Sequence, residues 1–389
     1  MKGGIGNGER LRVTDAASAI WVLSDRKSGD PRLVPTGTGT FMARGLPAAE
    51  PACALDVSAL DAVLAVAPED MTIRVEAGYP VARLRERLAA DGQWLPPAGL
   101  PGGAPEDAGG TVGGLIAADR RGPWAGGLGT VRDYLIGIRF VDGRGRDVRA
   151  GGNVVKNVAG YDLMKLMTGS LGAFGVILEA TFKVLPVPAR LGAVRVVDPD
   201  AALCRRAQAE TAIRWFPAAV WRGKENGGPE ELVAVFTGSA PRVAAQTDGV
   251  RAAWGTGAEV LGPEDALEAV RSREGWRAEP GLDLVWGGAL PAHLARVPLS
   301  SVVPGTVAVD LLAGHVWARV PSETGLRGGA NHGEEPVEGE LRLNRDAAPA
   351  GCPRAWASDP PAEAAAWAGL KNALDPRGVL VCGRLPGGI

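Results

Sequence analysis

Residues 151–186, GGNVVKNVAGYDLMKLMTGSLGAFGVILEATFKVLP, constrain the fold more tightly than any other stretch of the chain. Asp162 is placed to cap a short helix carrying Leu163, Leu166 and Met167, and Gly169 is placed to end it. Gly169, Gly172 and Gly175 then bring bare backbone close to something, because glycine lacks the Cβ that keeps other chains away. From Val176 the period changes to two. Val176, Leu178, Ala180, Phe182 and Val184 fall on one side and Glu179, Thr181 and Lys183 on the other, which predicts a half-buried strand. Pro186 and Pro188 close the unit.

The residues before this stretch repeat the same theme. Asp15 is placed to cap a helix through Leu23, and Leu33-Val34 reads as a short strand leading into Pro35-Thr36-Gly37-Thr38-Gly39-Thr40. Leu55 to Val57 reads as a strand, and Ser58 is placed to cap a helix running to Val66. Thr72 to Glu76 alternates, with Ile73 and Val75 inward, and a helix spans 80–90, stopped by Asp91-Gly92. A second glycine-rich segment holds Gly110, Thr111, Gly113 and Gly114 and continues to Gly129 and Thr130. A hairpin follows, turning at Asp142-Gly143.

Beyond residue 188 strands and helices alternate, which predicts an α+β sandwich resembling a split βαβ, ferredoxin-like unit. Residues 325–340 are glycine-rich and acidic and read as a mobile surface loop, and 361–374 read as a helix with Trp367, Leu370 and Leu374 on one face. The expected organisation is therefore a first domain over 1–188, a second over 189–360, and a C-terminal helix and tail over 361–389.

Several chemistries fail on inspection. There is no GxGxxG turn, no GxxxxGK[ST] loop, no HExxH and no GxSxG. Cys53, Cys204, Cys352 and Cys382 form no CxxC pair, so neither an iron–sulfur cluster nor a zinc knuckle is expected, and reduced cytoplasmic thiols are the default. A net charge of −2 with dispersed basic residues argues against nucleic acid. No apolar run is long enough to span a membrane, and the N-terminus lacks the apolar core of a secretory signal. What remains is three glycine-rich loops beside strands, with Thr38, Thr40, Thr111 and Thr130 among them. Such loops can cradle phosphate with backbone N–H groups. A chain with 56 glycines also forms tight turns for no other reason, and for each loop taken singly both readings stand.

Taken in order, PTGTGT, AGYPVARLRERLAADGQWLP and GGTVGGLIAADRRGPWAGGLGTVRDYLIGIRFVDGRG resemble the flavin domain of the vanillyl-alcohol oxidase/PCMH superfamily. NVVKNVAGYDLMKLMTGSLGAFGVILEATFKVLP resembles the branch of FAD-binding subunits of bacterial glycolate oxidase, and ALDPRGVLVCGRL is similar to that family's C-terminal tail. The resemblance covers the first half and the tail, and 190–360 match only loosely. It implies an α+β fold: a PCMH-type, two-subdomain FAD-binding domain, an α+β cap, and a tail returning to the FAD domain. It also implies non-covalent FAD, since the histidine used for covalent attachment would lie in the flavin domain and no histidine precedes His293.

Carried over by position, the resemblance places Pro35, Thr36, Gly37, Thr38, Gly39 and Thr40 at the pyrophosphate. Gly110, Thr111, Gly113, Gly114, Gly129 and Thr130 would line the pyrophosphate and ribityl region. Gly175, Val176 and Ile177 would meet the cofactor with main chain, and Arg384 would stand near the flavin pyrimidine edge. Val381-Cys382 replaces the family's usual Asn-Pro, which makes the tail geometry a point of departure.

The function implied is that of a FAD-binding subunit of a glycolate oxidase complex. Such a subunit would relay electrons from a small 2-hydroxy acid towards an iron–sulfur partner beside a catalytic flavoprotein subunit, at the inner face of the membrane and without spanning it. The alternatives are a free-standing 2-hydroxy-acid oxidoreductase and an assembly subunit with a vestigial flavin site. No metal is expected, because His293, His315 and His332 have no ligand spacing. His315, between Leu311-Leu312 and Val316-Trp317, is the candidate base, and a hydrogen-bonded strand-end histidine is the alternative for it.

Overall fold

A computed structural model describes residues 10–27, 29–40, 52–102, 110–152, 161–224, 228–275, 282–287, 306–312, 315–319, 341–342 and 364–381. Two compact units emerge. The first takes Met1–Arg120, Val131–Pro186 and Ser358–Ile389, and the second Arg121–Thr130 and Val187–Ala357.

The first unit opens with β1 (Arg10–Arg12), α1 (Ala16–Asp25), β2 (Arg32–Thr36) and β3 (Ala52–Asp56). Asp15 starts α1 with a capping box. Its carboxylate accepts from Ser18 N at 2.7 Å, and the Ser18 hydroxyl accepts from Asp15 N at 3.1 Å. The three strands form a parallel sheet in the order β1-β3-β2.

Next come β4 (Val63–Ala67), β5 (Thr72–Glu76), α2 (Val81–Ala90), β6 (Gln93–Trp94), α3 (Val112–Ala117) and α4 (Val131–Tyr134). They are followed by β7 (Leu135–Asp142), β8 (Asp147–Gly151), α5 (Leu163–Met167), β9 (Gly175–Lys183) and β10 (Leu185–Pro186). Five of these strands make an antiparallel sheet in the order β4-β5-β9-β7-β8, while β10 pairs with β6.

Two sequence expectations are corrected here. No helix follows Ser58. Its N–H donates to Asp56 Oδ1 at 2.9 Å, closing a turn, and 63–67 pair as an edge strand with β5. Nor is β9 half-buried with a clean alternation. As the central strand it is covered on both faces, with Glu179 and Thr181 buried. The β7–β9 register shifts between Arg139↔Glu179 and Phe140↔Ile177, leaving Leu178 as the extra residue of a bulge. Val176 and Leu178 therefore pack with Leu23, Leu33 and Leu55 under the parallel sheet, whereas Ile177, Ala180, Phe182 and Val184 pack with Leu84, Leu115 and Phe140.

Burial of Glu179 is tolerated because it is paired. Arg139 Nη1 donates to it at 2.6 Å and Arg74 Nε at 2.9 Å, while Arg139 also grips Asp147 at 2.9 and 2.8 Å. Burial alone would raise the Glu179 carboxyl, but Arg139 and Arg74 outweigh it and hold it below the ordinary glutamate value.

The second unit carries β11 (Arg190–Val197), α6 (Ala201–Arg206), a π-helical turn (Ala207–Thr211), α7 (Ala212–Trp215), β12 (Ala219–Lys224), β13 (Glu230–Gly238) and α8 (Ala240–Trp254). Then follow β14 (Glu259–Leu261), α9 (Pro263–Gly275), β15 (Leu282–Gly287), β16 (Thr306–Asp310), β17 (His315–Arg319) and β18 (Leu341–Arg342). The strands pair antiparallel in one sheet, β14-β11-β13-β12-β16-β17-β15-β18. Its core holds Val194, Val220, Phe236, Val250 and Trp254. Residues 121–130 cluster with this unit, although the sequence places them inside the first domain. Gly127 lies against the carbonyls of Pro217 and Ala218, where a Cβ would collide.

The last helix, α10 (Ala364–Leu374), returns to the first unit. Trp367 and Leu374 pack on its core as expected, but Leu370 is 38% exposed and Lys371 takes the inward position instead. Residues 325–340 lie outside the described set. Among the described residues no helix is long and apolar enough to cross a membrane.

Candidate functional site

A cavity in the first unit gathers most of the residues drawn from the glycine loops. One wall is Val34 to Thr40, the end of β2 and the turn after it, backed by Val57. A second is Thr111, Gly113, Gly114, Ala117 and Ala118, the beginning and end of α3. The third is Leu171, Gly172, Gly175 and Ile177, at the entry of β9.

Glycine is required where these walls approach one another. A Cβ on Gly37 would stand 2.6 Å from Thr111 Cγ2 and closer still to its hydroxyl. Gly172, at φ +82°, leaves only 3.0 Å between a would-be Cβ and Pro35 Cδ. Thr111 caps α3, its hydroxyl accepting from Gly114 N at 3.3 Å, and Gly113 N donates to Ala77 O at 2.7 Å. The loop ahead of β9 hangs on the far end of α3, with Gly169 N on Ile116 O at 3.0 Å and Leu171 N on Ala117 O at 2.9 Å. Leu171 adopts φ +50°, a left-handed conformation unusual for a leucine. Thr38 and Thr40 share a hydroxyl hydrogen bond of 3.0 Å, and the Thr36 hydroxyl donates to Val34 O at 2.9 Å.

Among the described residues no charged side chain lines this cavity. Among the described residues, the groups offered to an anion there are main-chain amides and the hydroxyls of Thr38, Thr40 and Thr111. Val34, Val57, Ala117, Leu171 and Ile177 leave apolar surface for a flat ring system. That division, a polar glycine–threonine turn beside an apolar slot, fits a dinucleotide carrying an aromatic head.

The structure brings only some of the sequence-derived residues to this cavity. Pro35, Thr36, Gly37, Thr38, Gly39, Thr40, Thr111, Gly113, Gly114, Gly175 and Ile177 line the cavity. Gly110, at φ +101°, sits just outside and its carbonyl accepts from Val81 N at 3.1 Å. Val176 is fully buried in the other core, because the strand turns it away. Gly129 and Thr130 belong to the second unit and are not part of the wall. His315 begins β17, opposite Trp286. Arg384, Cys382, His293 and His332 lie outside the described residues. Val34, Val57, Ala117, Ala118 and Leu171 also line the cavity, and the sequence does not mark them as site residues because aliphatic side chains of this kind read equally as core. Gly172 was visible only as a point of close approach.

Residues 11–151 match the family described as FAD binding domain. That segment is a FAD binding domain. The FAD binding domain holds two of the three cavity walls, and the third follows it at 171–177.

Among curated proteins, the chain is 36% identical over 180 residues to glycolate oxidase subunit GlcE of Escherichia coli (strain K12), covering 44% of this chain and 50% of that one. It is 32% identical over 177 residues to glycolate oxidase subunit GlcD of Bacillus subtilis (strain 168), covering 46% and 36%. Against the mitochondrial D-lactate dehydrogenase [cytochrome] of Arabidopsis thaliana it is 33% identical over 156 residues, covering 40% and 26%. The chain thus spans half or less of the length of these relatives.

A solved structure of alkyldihydroxyacetonephosphate synthase superimposes with a TM-score of 0.63 at 14% identity, covering 95% of this chain and 76% of that one. At that identity the likeness speaks to fold alone, and that fold is α+β.

Proposed function

We propose that this chain is the FAD-binding subunit of a glycolate oxidase, or glycolate dehydrogenase, complex. In that complex electrons leaving glycolate on its way to glyoxylate pass towards an iron–sulfur partner. The observation that carries the reading is the uncharged, three-walled cavity, built largely from the FAD binding domain of a chain similar to two glycolate oxidase subunits. FAD bound there would supply a two-electron acceptor for the hydride of a 2-hydroxy acid.

The chain's own contribution is to bind and to orient. Gly37 and Gly39 let backbone approach the diphosphate, Thr38, Thr40 and Thr111 offer hydroxyls, and Leu171 and Ile177 exclude water from the ring. Gly129 and Thr130 are proposed as further contacts, and Arg384 as the cation near the pyrimidine edge. His315 is proposed as the base for the substrate hydroxyl if this chain supplies one. The complex would sit at the inner face of the membrane through its partners.

Similarity to a D-lactate dehydrogenase favours a second reading, a free-standing FAD-dependent 2-hydroxy-acid oxidoreductase. Purification of the chain separates the two. The subunit reading expects an acid-releasable flavin, no bleaching by glycolate alone, and glycolate-dependent reduction once a catalytic flavoprotein and an iron–sulfur subunit are added. Bleaching of the isolated chain by a 2-hydroxy acid would sink it in favour of the second, and absence of any flavin would sink both.

A further inference from the structure

The C-terminal segment pairs with the strand that carries one wall of the cavity. Residues 379–381 run beside β2, with Leu33 N donating to Val379 O and Val381 N to Leu33 O, both at 2.8 Å. This is the strand that ends in the Pro35–Thr40 turn. Lys371 lies between that segment and the loop ahead of β9, and is only 8% exposed. Its Nζ donates to Ala173 O at 2.7 Å and to Asp375 Oδ2 at 2.7 Å, with longer contacts of 3.3 Å to Leu380 O and Val381 O. Three ammonium protons are thus shared among four acceptors. Asp375 is held in turn, its Oδ1 accepting from Val379 N at 2.8 Å and its Oδ2 from Leu380 N at 2.9 Å.

A solvated lysine at this helix position would serve α10 as well. Burial pulls the ammonium pKa down, and Asp375 offsets that in part. What the buried ammonium adds is a link between two cavity walls. Ala173 follows Gly172, which faces Pro35 across the 3.0 Å gap that a Cβ would leave, and precedes Gly175. The tail strand fixes β2, and the ammonium fixes the loop to the tail.

We infer that Lys371 is a positioning residue for the cofactor cavity, locking the Ala173 loop to the strand that bears the Pro35–Thr40 turn and so setting the gap between two walls. The inference rests on reading the cavity as the FAD site. Its test uses the full chain, stripped of flavin and titrated with FAD by fluorescence quenching, alongside thermal unfolding of the flavin-free protein.

K371M is expected to weaken FAD binding by about tenfold or more and to speed amide exchange in residues 170–178. The double variant K371M/D375N removes both charges, so no buried carboxylate is left unpaired. It should recover thermal stability relative to K371M yet remain as weak for FAD. R377A is the control. Arg377 donates to the carbonyls of Leu23 at 2.7 Å, Ser24 and Gly143 at 3.0 Å and Arg26 at 3.3 Å, none of them in the cavity wall. Its loss should lower stability while FAD affinity stays within about twofold.

Wild-type-like affinity in K371M overturns the inference, and so does an equal loss in R377A. Should K371M fail to fold, the double variant decides on the same criterion. A wild-type chain that binds no FAD overturns the reading of the site and the inference together, whereas equal binding by wild type and variants overturns the inference alone.

Discussion

The tightest contact in the cavity predicts a coupling that can be measured. A Cβ on Gly37 would stand 2.6 Å from Thr111 Cγ2, nearer to its hydroxyl, and 3.1 Å from its Cβ. Carbon atoms settle at about 3.5–4.0 Å, so G37A must push Thr111 or its own turn by about an ångström. Overpacking of that kind costs about 1–3 kcal/mol, and losing the Thr111 cap on α3 costs about 1 kcal/mol. Together they put G37A at about 2–4 kcal/mol, or a fall in Tm of roughly 4–16 °C for a unit of this size. In a T111A background the hydroxyl and Cγ2 are gone and only the contact at 3.1 Å remains. There the same substitution should cost less than about 1 kcal/mol, a coupling of about 1–3 kcal/mol. The assay is denaturant or thermal unfolding of the four flavin-free proteins of the double-mutant cycle. Additivity to within about 0.5 kcal/mol would refute the contact between the first and second walls.

Three further outcomes follow from other parts of the molecule. Gly172 and Gly29 both have positive φ, at +82° and +99°, but only Gly172 has a neighbour in reach. G29A should therefore cost about 1 kcal/mol of backbone strain with FAD affinity unchanged, while G172A should cost more and also weaken FAD, as unfolding and titration together would show. The folded-state pKa of Glu179 lies below its unfolded value of about 4.3, so its contribution is present above that pH and lost as pH falls through the folded value. E179Q should lose about 2 kcal/mol at pH 7 and show a shallower decline of stability between roughly pH 5 and pH 3; an unchanged acid limb would count against the Arg74–Glu179–Arg139 network. Finally, Cys204 is fully buried and desolvation pushes its thiol up to about 11, so a thiol reagent at pH 8 should modify it only after unfolding.

Local chemistry made much of the first unit legible. Asp15 and Ser18 write a helix start into adjacent residues, Asp142-Gly143 writes a turn, and the glycine–threonine loops write close approach, all through groups a few positions apart. What failed depended on partners outside the element itself. Residues 58–66 have apolar spacing that suits a helix, and only the neighbouring β5 decides that 63–67 extend as an edge strand. The alternation in β9 is written regularly, yet the bulge opposite Arg139 shifts Leu178 and Glu179 to one side. In α10 a leucine and a lysine stand side by side. Hydrophobicity favours Leu370 for the inward face, and four acceptors supplied by Ala173, Asp375, Leu380 and Val381 give that face to Lys371.

The same contrast separates holding a cofactor from using it. Oxidising a 2-hydroxy acid requires a base for the hydroxyl proton and a cation for the carboxylate. The described wall of the cavity supplies neither, since its side chains are aliphatic, hydroxyl or absent. Neutral walls suit a cofactor whose charge is met by main-chain dipoles, and they leave its reactivity to whatever is brought against its exposed face. An acid–base group must then come from outside this wall, either from residues such as His315 and Arg384 or from another protein. The proposed complex would meet that need. The neutral wall also explains why the glycine loops say much about FAD and little about the donor of the electrons.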